Sequence, residues 1–76
     1  MSLVLLHKLS LVELPVALTV GDDVDGLRIL KMAGHVKAQI PPPIRTVAGY
    51  DQPPAVALEI TPLGRRMLER FPLMPN

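Results

Sequence analysis

The side chains best suited to proton transfer or nucleophilic attack in this 76-residue chain are His7, His35, Ser2, Ser10 and seven carboxylates; cysteine is absent. A nucleophile needs a base at hydrogen-bond reach to be activated. Neither histidine is recognisably coupled to a carboxylate, and neither serine is near a histidine that is. The two histidines stand far apart with no ligand cluster around them, so no metal site is expected. There is no glycine-rich phosphate loop. The residues therefore point to a non-enzyme without cofactor or metal, with His35 an ordinary surface residue.

Charge offers a second kind of chemistry. Eight Lys/Arg stand against seven Asp/Glu, for a formal net charge of +1. That is not the strong positive balance that marks a nucleic-acid-binding domain by composition. Arg65, Arg66 and Arg70 form the densest basic cluster, but cations in the later turns of a helix also complement its dipole. Asp22, Asp23 and Asp25 gather at the start of another helix, where negative charge is favoured for the same reason.

These residues need elements to hold them. The apolar run at 3–9 reads as a short helix with Leu3 and Leu6, and also Leu5 and Leu9, on its inner side. Ser10 followed by Glu13 has the form of a capping box, so a second helix is expected from 11 to about 18, weakened by Pro15. Val24, Leu27 and Leu30 recur at helical spacing and place a third helix at about 23–33, ended by Gly34. Alternation then replaces the helical period. Val36, Ala38 and Ile40 define one half-buried strand, and Val56, Leu58 and Ile60 a second, with the loop 44–54 between them. Prolines 41–43 end the first strand. Thr61-Pro62 opens a last helix, 62–71, with threonine as N-cap and proline at N1. Its inner side carries Leu63, Met67 and Phe71.

The stretch from Ser10 to Val36, SLVELPVALTVGDDVDGLRILKMAGHV, resembles the helix-turn-helix of winged-helix regulators of the MarR, PadR and ArsR families, with Leu27, Leu30, Gly34 and Val36 in the family's apolar and turn positions. The stretch VALEITPLGRRMLE, from Val56 to Glu69, resembles the second wing strand running into a helix through Ile60, Thr61 and Gly64. The resemblance implies an α+β domain, mainly α with a small antiparallel hairpin, in the order ααα-β-wing-β-α. It implies one winged-helix domain over 1–76, with a helix-turn-helix at about 11–33, a wing hairpin at about 35–60 and a C-terminal helix at about 62–71.

Two functions are compatible with that resemblance. One is a bacterial transcription-regulator-like protein that binds double-stranded DNA, with Arg28, Lys37 and Arg45 as the phosphate contacts. The other is a protein-association or dimerisation module that does not bind DNA. The aspartates at the tip of the third helix oppose the electrostatic attraction to phosphate. Ile29 and Met32, on that helix's exposed side, suit a protein neighbour better than base edges.

Apolar residues make up 49% of the chain, more than one small core is expected to hold. The excess falls near the ends. A homodimer is therefore expected, through Leu3, Leu5, Leu6, Leu9, Phe71, Leu73 and Met74. No apolar run is long enough to span a bilayer or form a signal-peptide core. With no cysteine, a cytoplasmic location is expected.

Overall fold

Leu5, Leu6 and Leu9 lie on one side of the first helix, and that stripe decides where the helix goes. In the computed structural model, which describes residues 2–72, helix α1 (Ser2–Ser10) buries all three leucines in the chain's own core. Strand β1 (Val16–Leu18) follows, then helix α2 (Gly21–Met32), strand β2 (Val36–Gln39), strands β3 (Ile44–Thr46) and β4 (Gly49–Asp51), strand β5 (Ala55–Ile60) and helix α3 (Pro62–Arg70). The class is α+β, but the order is α-β-α-β-β-β-β-α rather than ααα-β-wing-β-α, so the winged-helix arrangement expected from the sequence is overturned.

The departure begins at Ser10. Its hydroxyl does not cap a new helix; it donates back to the His7 carbonyl at 2.6 Å, and α1 ends there. Residues 11–15 form a turn and bend, and the segment expected to be a helix instead supplies β1. The physical reason lies in Pro15. It lacks an N–H, its ring collides with the carbonyl four residues earlier, and it drives Leu14 toward extended backbone. Val16, Ala17 and Leu18 then continue extended, with Val16 and Leu18 half-buried and Ala17 exposed.

Strand β1 joins a three-stranded antiparallel sheet in the order β1-β5-β2. The pairing of β2 with β5 is the one expected from the two alternating runs. The side chains of β5 are not. Ala55, Ala57 and Ile60 face the core, while Leu58 and Glu59 are exposed and Val56 is half-buried. Register runs Val36↔Ile60 and Lys37↔Glu59, then steps to Ala38↔Ala57 and Gln39↔Val56, leaving Leu58 without a partner. One extra residue in a strand resets its alternation. The bulge lets Ile60 and Ala57, three apart, face the same way.

Helix α2 carries the expected stripe of Val24, Leu27 and Leu30, all buried. Val20 occupies its N-cap position without a side-chain bond, and Asp22 and Asp23 sit inside the first turn, where their charge complements the free amides. Its end is a Schellman pair: the Gly34 amide donates to the Lys31 carbonyl and the His35 amide to the Leu30 carbonyl, with Gly34 at φ 78°.

Helix α3 starts as the sequence suggests. The Thr61 side chain accepts from the Gly64 amide at 3.1 Å, and Pro62 follows. Thr61 also binds the α2–β2 turn twice: its hydroxyl donates to the Gly34 carbonyl and its amide to the His35 carbonyl. Gly64 is buried against that same His35 carbonyl, so closely that a Cβ there would overlap the oxygen. Helix α1 packs on both α2 and α3 and on β5, and His7 Nε2–H donates to the Phe71 carbonyl at the end of α3 at 2.7 Å. Leu63, expected in the core, is exposed; Met67 packs partly against it.

Candidate functional site

The loop expected between the two long strands contains a second sheet. β3 and β4 form a two-stranded antiparallel ribbon with Ile44↔Asp51, Arg45↔Tyr50 and Thr46↔Gly49 in register, turned at Val47 and Ala48. The sequence explains why this ribbon is separate from the main sheet. Pro41, Pro42 and Pro43 on one side and Pro53 and Pro54 on the other have no N–H to give, so the β2–β5 ladder stops before the ribbon begins. Gln52 bridges the gap instead, its side-chain amide donating to the Pro41 carbonyl at 2.7 Å.

Every residue from 42 to 51 is exposed. The principal neighbour of each arm strand is the other, and the molecule is elongated, 44 × 27 × 21 Å. The ribbon is thus an arm. It presents Ile44 (57% exposed), Val47 (110%) and Tyr50 (72%) to solvent, with one cation, Arg45, and one anion, Asp51. Ile44 and Tyr50 lie on opposite faces of the ribbon and Val47 at its turn, and large apolar side chains left in solvent commonly mark contacts. β-forming residues Ile44, Thr46, Val47 and Tyr50 were the signal for it in the sequence, obscured by the flanking prolines.

At the base of the arm an open cleft of about 710 Å³ runs between the second half of α2 and the first prolines. Arg28, Lys31, Met32 and Ile40 line it with Pro41, Pro42 and Pro43.

The three residues nominated for phosphate contact do not form a free basic face. Arg28 is paired with Asp25 at 3.2 Å on its own helix, and Lys37 with Glu59 at 3.1 Å across the β2–β5 ladder. These are solvent-exposed pairs worth at most about 1 kcal/mol each, but they place a carboxylate beside each cation. Of the three, only Arg45 is free of such a partner among the described residues.

No family model, curated protein or solved structure matches this chain.

The residues nominated for a dimer contact are dispersed. Leu5, Leu6 and Leu9 are buried in the chain's own core, and Leu3 is partly buried against it. Phe71 is exposed. Leu73 and Met74 lie outside the described residues.

For catalysis, the described residues hold no group of three or more His, Cys, Asp or Glu placed to bind a metal, and no polar or charged side chain is buried. Ser10 is engaged with its own helix. Among the described residues no helix is long and apolar enough to cross a membrane.

Proposed function

We propose that this chain is a non-enzymatic protein-association module, acting in the cytoplasm, and that the β3–β4 arm is the element it extends to its partner. The observation that carries this reading is the arm itself: a ribbon held off the body by prolines, exposed along its whole length, apolar and electrically neutral. A lone two-stranded ribbon is marginally stable in water, and an exposed strand edge is a template for further pairing. A homodimer is the simplest assembly of that kind. The DNA-binding alternative draws less support, since two of its three nominated cations carry a carboxylate neighbour and the start of α2 is acidic.

Sedimentation velocity at micromolar concentration tests the reading, beside a titration of duplex DNA at low ionic strength. The expected result is an assembly larger than one chain that becomes monomeric when Ile44, Val47 and Tyr50 are all changed to serine, with no DNA binding by either protein. A monomeric parent that binds the duplex would replace association by nucleic-acid binding.

A further inference from the structure

The arm has two free edges, and they are not equivalent. In a two-fold pairing between arms, each strand meets its own copy antiparallel. Full overlap of a three-residue strand then puts the middle residue opposite itself. Through the β3 edge the middle residue is Arg45, so two guanidinium groups meet directly, and like charges opposite each other are unfavourable. Through the β4 edge the middle residue is Tyr50, and two tyrosine rings meet, a favourable cross-strand pair. The neighbouring position sets Asp51 of one chain against Gly49 of the other, which adds no like-charge contact.

We infer that two copies of this chain join their arms edge to edge through β4, giving a four-stranded ribbon β3-β4-β4-β3 with the two-fold axis at Tyr50. The inference rests on the association reading and gives that reading a partner and a register. Because Arg45 and Tyr50 are cross-strand partners, they share one face of the arm. Pairing through β4 therefore lines up Arg45, Tyr50, Tyr50 and Arg45 across the joined ribbon. The two cations end up at the outer strands, separated by two rings whose faces attract cations. The other face carries Ile44, Thr46 and Asp51. Strands β3 and β4 have three residues each, so the register with Tyr50 opposite itself is the one that pairs all three, and little edge is left for open-ended growth.

The chain's lack of cysteine permits a direct test. Opposed residues in an antiparallel pair bring their Cβ atoms to about 4.5–5.5 Å, close to disulfide reach. Under mild oxidation Tyr50→Cys is expected to form a covalent dimer, and Arg45→Cys, on the outer strand, is expected to stay uncross-linked. In sedimentation the parent is expected to be dimeric, and Tyr50→Arg, which sets two guanidinium groups on the axis, is expected to weaken the dimer by about tenfold or more. Circular dichroism of each variant checks that the body remains folded. A dimeric parent whose affinity Tyr50→Arg leaves intact, or in which Arg45→Cys cross-links as well as Tyr50→Cys, would overturn pairing through β4 while leaving association standing. A parent that stays monomeric would overturn both.

Discussion

Gly64 has no side chain, and the junction between the sheet and α3 is built on that absence. The first turn of α3 lies against the His35 carbonyl, which already accepts from the Thr61 amide. Gly64→Ala inserts a methyl group into backbone that cannot turn aside. Inserting a methylene into a filled site costs about 1–3 kcal/mol, and we expect a loss in that range by urea denaturation, although alanine is ordinarily the better helix former. An unchanged or raised midpoint would show that α3 can shift freely. Leu6 is fully buried, under α1 and at the centre of the core. Leu6→Ala is expected to cost about 2–5 kcal/mol, as for other buried leucines. A melt that matches the parent would mean that α1 is not needed to cover the sheet.

Elements differ in how they are held. Helix α3 depends on its cap, and Thr61→Ala removes both the bond from Gly64 and the bond to Gly34. A lost N-cap costs about 0.5–2 kcal/mol, and we expect the upper half of that range because the same hydroxyl also closes the α2–β2 turn. Thr61→Ser, which keeps the hydroxyl, should recover most of the loss in the same melts. The arm is held in another way. Its side chains touch little of the body, so changing Ile44 or Val47 to serine should leave the unfolding midpoint of the dilute monomer unmoved. Hydrogen exchange should show arm amides opening well before those of β5 and α2, since local opening follows local packing. A drop in the global midpoint on changing either residue would mean that the arm is part of the cooperative core.

The electrostatic character of the whole molecule follows from how its few charges are placed. Counterion release gives a slope of about 0.9 in log affinity against log salt for each phosphate neutralised. Arg28 and Lys37 stand beside carboxylates, so for any residual attraction to duplex DNA Arg45→Ala should lower the slope by about one while Arg28→Ala and Lys37→Ala leave it unchanged, measured by fluorescence anisotropy across a salt series. A slope that falls by about one with each of the three would contradict that placement, and a slope that none of them changes would direct attention to Arg65, Arg66 and Arg70 on α3.

Much of this was legible in the residues alone. The stripe of Val24, Leu27 and Leu30 placed α2, and the helix stop at Gly34 and the Thr61-Pro62 start of α3 were local chemistry that tertiary contacts did not override. The antiparallel partnership of β2 and β5 followed from two alternating runs around a proline-bounded loop. Three things were decided only by the folded chain. Ser10 could bond forward into a new helix or backward to His7, and Pro15 with the waiting edge of β5 tipped it backward. The phase of β5 could not be read from alternation, because a bulge at Leu58 exists only in relation to β2. The leucines of α1 suited both the inner side of a helix and a dimer contact, and only the packing of α1 on α2, α3 and β5 put Leu5, Leu6 and Leu9 in the core. Local patterns carry propensity and capping; which apolar face meets which, and therefore what remains outside to meet a partner, depends on contacts between residues far apart in sequence.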